Sequence, residues 1–203
     1  MSERDFFLSH LGQTTPFPFL VEVERAEGIY IYDKYGKAYM DMISGVAVNN
    51  IGHRHPKVVS ALKNQIDKYL HVMVYGEFIQ DAQQLLVKEL LEVLPSKLDG
   101  VYIVNSGTEA IEAALKLARQ YFVEIGQPQR RHVIARKQSY HGNTLGALAT
   151  GGNQWRRAPF SPLMIETTHI SPCYEFRGKR SDETAHEYGQ RMANELESEI
   201  VRL

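Results

Sequence analysis

The chain has 203 residues, 43% hydrophobic and 23% charged, a balance that excludes a disordered or fibrous polymer. Its 23 Lys and Arg against 24 Asp and Glu leave a formal net charge of −1, so bulk electrostatics draw it to neither nucleic acid nor an anionic membrane. A single cysteine, Cys173, rules out an internal disulfide.

No CxxC spacing offers zinc, and no metal site is expected. No apolar run approaches the ~20 residues of a bilayer span. The opening Met1-Ser2-Glu3-Arg4-Asp5 lacks the apolar core of a signal peptide, so a cytoplasmic protein is expected.

Residues 1–20 carry Phe6, Phe7, Leu8, Leu11, Phe17, Phe19 and Leu20, with Pro16 and Pro18 among them. The prolines oppose a helix and favour extended backbone, so an apolar arm laid on another surface is expected. Ile29-Tyr30-Ile31-Tyr32, Asp33-Lys34-Tyr35-Gly36 and Ala38-Tyr39-Met40-Asp41 read as strand, turn and return strand. The stretch 44–56 reads as a loop. Its His53-Arg54-His55 could suggest a metal, but without a third ligand nearby, a loop held by side-chain hydrogen bonds is the better reading.

Val58, Leu62, Ile66 and Tyr69 recur at helical spacing, and so do Ala82, Leu86, Leu90 and Val93 in a second helix from about Asp81. Val101-Tyr102-Ile103-Val104 has the composition of a buried strand. A helix follows from Asn105-Ser106-Gly107 to about Glu124, with Gly126 as its stop, and then a strand at 132–135. Strand, helix, strand predicts a βαβ crossover and a parallel α/β sheet. A small-residue helix over Thr144–Thr150 and a third strand near 164–170 are predicted next. A terminal helix follows, with Tyr188, Met192, Leu196, Ile200 and Leu203 on one face.

Two segments could carry chemistry. Asn105-Ser106-Gly107-Thr108-Glu109 opens a helix, whose unpaired N–H groups and partial positive charge suit phosphate. Gly107 allows close backbone approach, and Ser106 and Thr108 add hydroxyls. The same residues have the S-x-x-E spacing of a capping box, and the two readings are compatible. Tyr140-His141-Gly142 lies beyond the next strand, where ligands of open α/β sheets collect. Tyr140 could stack on a flat ring and His141 donate a hydrogen bond; equally, both could be core residues. A nucleotide-binding regulator lacks support, since no Walker lysine and no GxGxxG follows a strand.

Blocks in register make the chain resemble a known family. Gly45-Val46-Ala47-Val48-Asn49-Asn50-Ile51-Gly52-His53-Arg54-His55-Pro56 is similar to the SG-x-x-V…GH-x-HP segment of class-III aminotransferases. Asn105 to Arg119 resembles their cofactor-phosphate turn and helix, and Ser139-Tyr140-His141-Gly142-Asn143-Thr144 their ring-stacking loop, with Asn143 where Arg is common. The Asp33…Gly36…Asp41 hairpin matches as well.

The resemblance implies an α/β fold of the aspartate-aminotransferase type (fold type I). Residues 1–52 would form the N-terminal arm and β-hairpin of a minor domain, and 53–203 the first part of a pyridoxal-phosphate-binding large domain. It implies that Ser106, Gly107 and Thr108 bind the cofactor phosphate, that Tyr140 stacks on the ring, and that His141 lies near the ring substituents. Residues 44–49 would line the substrate side. The Schiff-base lysine and the acid that pairs with the ring nitrogen lie in later segments of the family, so no catalytic residue is assigned here, Lys116 and Lys137 included.

In that family fold the 101–104 strand is separated from the next two by strands that come later in sequence. Uncovered strand edges and apolar helix faces are therefore expected. The implied partners are a small amino donor (an ω-amine or ornithine-like compound), a 2-oxo acid and, at full length, a second copy in a homodimer. The alternative is a truncated, non-catalytic product that holds pyridoxal phosphate noncovalently or pairs with a full-length homologue.

Overall fold

In the computed structural model, which describes residues 1–203, packing divides the chain into two units, Met1–Glu92 and Val93–Leu203.

The first unit opens with a helix that the prolines do not prevent. α1 (Glu3–His10) ends before Pro16 and begins at a capping box: Ser2 Oγ accepts from the Asp5 N–H at 3.2 Å, and the Asp5 carboxylate accepts from the Ser2 N–H at 3.0 Å. The expectation of a helix-free extended arm is corrected here. Prolines downstream limit only where a helix ends.

Three strands follow in an antiparallel sheet of order β1-β2-β3: β1 (Val23–Glu27), β2 (Tyr30–Asp33) and β3 (Ala38–Met40). The β2–β3 hairpin matches its prediction. Asp33 fixes its turn, with Oδ1 accepting from the Tyr35 and Lys37 amides at 2.9 Å each and Oδ2 from the Tyr39 hydroxyl at 3.1 Å. Burial works against the ionised Asp33 carboxyl, but these donors prevail and hold it below its usual range. β1 was not anticipated. Its charged sequence gains from pairing, for the Arg25 guanidinium lies 3.5 Å from the Tyr32 ring centroid.

The predicted loop after β3 contains a helical turn of unusual hand. Ser44, Gly45, Val46 and Ala47 have φ of 51, 62, 61 and 61°. Asp41 grips the entry to the turn: Oδ1 accepts from the Ser44 amide at 2.8 Å and from the Ile43 amide at 3.1 Å, while Oδ2 lies 2.7 Å from His53 Nε2. The His53 bond, then the Ser44 amide, hold the Asp41 carboxyl below its usual range. His53 thus serves the loop by hydrogen bonding, and its backbone also pairs with Gly28.

α2 (Pro56–Lys68) starts with proline at its first turn, where no N–H is needed. α3 (Asp81–Val93) has its predicted bounds. Val58, Leu62, Ile66 and Leu86 stay exposed on these two helices, as expected of uncovered apolar faces.

In the second unit, Val101–Val104 forms no ladder, which corrects both the predicted strand and the crossover through the next helix. A strand exists only through a neighbour's backbone, and no segment of this chain pairs with 101–104. The parallel sheet forms instead between β4 (Ile134–Arg136) and β5 (Thr168–Ile170), with Ile134 opposite Thr168 and Arg136 opposite Ile170. Between them run α5 (Leu145–Thr150), a turn at Gln154–Arg157 and a 3₁₀ stretch, Ala158–Leu163. α4 (Gly107–Glu124) precedes the sheet and α6 (Ala185–Arg202) ends the unit.

The core is small and sits around α5. Ala147, Leu148 and Ala149 are buried with Ile170, Tyr188 and Met192. Small side chains on α5 let its end close on the β4 exit, where the Gly152 amide donates to Ser139 O at 2.9 Å and Gly152 O accepts from the Gln138 amide at 3.0 Å. α6 is pinned to β5 by Glu195, whose Oε1 accepts from the Ser171 amide and hydroxyl at 3.0 Å each. No helix is long and apolar enough to cross a membrane.

Candidate functional site

The start of α4 is built as a capping box. Ser106 Oγ accepts from the Glu109 amide at 3.2 Å, and Glu109 Oε2 accepts from the Asn105 and Ser106 amides at 2.7 and 3.2 Å. The Ala110 amide reaches Ser106 O. The Gly107 and Thr108 amides, in the first turn, have no acceptor inside the helix. A Cβ on Gly107 would meet nothing within 4 Å, so the space beside Gly107 is open. The capping reading is therefore realised. The Glu109 carboxylate takes the Asn105 and Ser106 amides and places a negative charge at the same helix start.

The 140–142 loop is joined to this turn. Gly142, at φ +125°, lies so close to Thr108 that a Cβ would sit 1.8 Å from Thr108 Oγ1 and 2.8 Å from Thr108 Cβ. A second strut is Glu112, one turn further along α4. Its Oε1 accepts from Thr144 Oγ1 at 2.5 Å and from the Ala147 amide at 3.1 Å. The Thr144 hydroxyl bond, helped by the Ala147 and Gly146 amides, holds the Glu112 carboxyl below its usual range against the opposing pull of burial. Glu112 thereby caps α5 from another helix, since the N-cap residue Thr144 makes no cap bond of its own.

Tyr140 is 64% exposed, which corrects the core-packing alternative for it. The Arg156 guanidinium lies 5.6 Å from its ring centroid. His141 is half-buried and lines a recess of about 690 Å³ with Ile111, Leu115, Ala135, Ile170 and Leu196. Thr108 and Gly142 thus bring the two segments together, while Ser106, Gly107, Thr108 and Tyr140 do not line the recess of His141. Lys116 and Lys137 are exposed and make no side-chain bond there. Sequence reading missed Glu112 and Arg156. Nothing local marked either: Glu112 shares its helix face with Thr108, Glu109, Lys116 and Arg119, an ordinary polar stripe.

A helix start with unpaired amides, fastened through Thr108 to a loop that bears an exposed tyrosine, places anion donors and an aromatic ring on adjoining segments of a mixed α/β unit. The donor set fits pyridoxal phosphate: two unsatisfied amides and two hydroxyls for the phosphate, in space that Gly107 leaves open.

Comparison with known proteins narrows this class to a family. The chain belongs to the class-III aminotransferases, whose family model matches residues 12–201. It is 41% identical over 196 residues to an uncharacterized aminotransferase of Schizosaccharomyces pombe, covering 96% of this chain and 42% of that one. It is 37% identical over 171 residues to an acetylornithine aminotransferase of Clostridium acetobutylicum, covering 82% and 43%. The fold matches an ω-aminotransferase structure from Paracoccus denitrificans with TM-score 0.90 and 28% identity, over 100% of this chain and 46% of that one. An (S)-enantioselective ω-transaminase structure from Thermomicrobium roseum matches with TM-score 0.88 and 28% identity, over 98% and 45%. The chain spans less than half the length of these relatives.

Proposed function

We propose that this chain supplies the phosphate turn and ring platform of a pyridoxal-phosphate-dependent aminotransferase. The whole enzyme moves an amino group between a small amine or amino acid, of ω-amine or ornithine-like type, and a 2-oxo acid. The observation that carries the reading is Thr108 seated against Gly142, which fuses the anion-binding turn to the loop of Tyr140 and His141. The donor class draws support from relatives named acetylornithine aminotransferase and ω-aminotransferase.

In this reading the Gly107 and Thr108 amides, with the Ser106 and Thr108 hydroxyls, bind the phosphate. Tyr140 covers one face of the ring and keeps water from it. His141 donates a hydrogen bond near the ring substituents. The bound cofactor supplies an electron sink for breaking a bond beside the amino nitrogen. The lysine that holds the cofactor covalently is assigned to polypeptide outside these residues, not to Lys116 or Lys137.

Residues 1–52 are read as the arm and hairpin of a minor domain, and 53–203 as the first part of a fold-type-I large domain. The whole enzyme is read as a cytoplasmic homodimer. The test is a titration of the ¹⁵N-labelled chain with pyridoxal phosphate. Amide shifts are expected at 106–108 and 140–142. Binding with those amides unmoved would overturn the reading.

A further inference from the structure

We infer that Glu112 is a positioning residue: it fixes the span between the phosphate turn and the Tyr140 platform, and so sets the preference of the site for a phosphate that carries a flat ring over phosphate alone. The inference rests on the proposed function and deepens it.

Two contacts oppose each other across the same gap. Thr108 lies against Gly142 closely enough to stop the loop from approaching α4 any further. Glu112 stops it from leaving, because its carboxylate holds Thr144 Oγ1 and the Ala147 amide at the start of α5. Gly146 makes that grip possible, since a Cβ there would sit 2.6 and 2.7 Å from the two Glu112 carboxylate oxygens. The loop that bears Tyr140 runs between these struts, with one end in contact with the helix whose first turn presents Gly107 and Thr108.

The role demands an acceptor oxygen. Every group aimed at Glu112 is a donor: one hydroxyl and the first amides of α5. A leucine would keep the bulk and leave these donors without an acceptor, whereas the amide oxygen of a glutamine could still take both bonds made at Oε1. The phosphate turn itself does not depend on this bond, for its capping box is made by Ser106 and Glu109 alone. Loss of Glu112 is therefore expected to release the ring platform while sparing the phosphate donors.

The experiment compares the wild-type chain with Glu112→Leu and Thr144→Val for binding of pyridoxal phosphate and of inorganic phosphate, with a thermal melt of each protein. In both variants the Kd for pyridoxal phosphate is expected to rise by about tenfold, the scale of one lost aromatic face contact, while that for inorganic phosphate changes less than about twofold. Equal weakening of both ligands, or a lower Tm with an unchanged ratio of the two Kd values, would show a purely structural role and overturn the inference alone. A wild-type chain that binds pyridoxal phosphate no better than phosphate would overturn the aminotransferase reading with it. If Glu112→Leu does not fold, Thr144→Val, which deletes one donor and keeps the carboxylate, decides the matter.

Discussion

Replacing Gly142 with alanine tests whether the ring loop is truly seated on the phosphate helix. The added Cβ would lie 1.8 Å from Thr108 Oγ1, 2.8 Å from Thr108 Cβ and 3.2 Å from Ala147 Cβ. Rotating Thr108 can withdraw the hydroxyl, but its Cβ is fixed to the α4 backbone, so loop or helix must move. The φ of +125° adds a second cost, because an L side chain rarely adopts it. Overpacking and backbone strain are each of order 1–3 kcal/mol, so a loss of about 3 kcal/mol is expected. For a domain of this size that lowers Tm by roughly 6–12 °C. Denaturant unfolding of Gly142→Ala, Thr108→Gly and the double variant separates the two costs. The steric part should appear as a coupling of about 1 kcal/mol or more, since Thr108→Gly removes the obstructing atoms. A loss below ~0.5 kcal/mol, or additivity within that margin, would refute the contact on which the site reading stands.

Gly152→Ala should be harsher still, because its Cβ would meet the Arg136 O at 2.2 Å, the Gln138 N at 2.4 Å and the Lys137 C at 2.5 Å, all main-chain atoms. A loss above ~3 kcal/mol is expected in a urea melt. Ser106→Ala removes the N-cap acceptor of α4 and should cost about 1 kcal/mol by the same measurement. Glu183 grips Arg191 through two bonds of 2.8 Å, which, led by that Arg191 hydrogen bond, hold its carboxyl down at about 2. Its folded-state value is depressed, so its stabilising contribution is present above the ordinary glutamate range and is lost as pH falls toward about 2. Arg191→Gln should flatten the decline of stability between the ordinary glutamate value of about 4.3 and that limit, followed by thermal melts across acid buffers.

What could be read from sequence was what is local. α3 and α4 have the predicted bounds because apolar spacing, a capping serine and Gly126 act within a few residues. α1 is equally local but runs against the expectation from Pro16 and Pro18, because the Ser2–Asp5 capping box starts a helix that ends before either proline. β1 escaped because its charged residues are stabilised by their neighbours in β2, not by any alternation of their own. Val101–Val104 has strand composition without a strand, since composition supplies no partner backbone. In the site, the helix start at Ser106 was visible as a capping motif. The meeting of Thr108 with Gly142 and of Glu112 with Thr144 joins residues more than thirty positions apart in sequence, beyond the reach of any periodicity.

The left-handed turn at Ser44–Ala47 fixes more than a path for the chain. Winding against the hand natural to L-residues costs roughly 1–2 kcal/mol at each non-glycine position, and Ser44, Val46 and Ala47 all incur it. Only an anchor such as the Asp41–His53 pair keeps so reluctant a segment from relaxing. The segment therefore holds one outline, stiff where a loop of ordinary hand would yield.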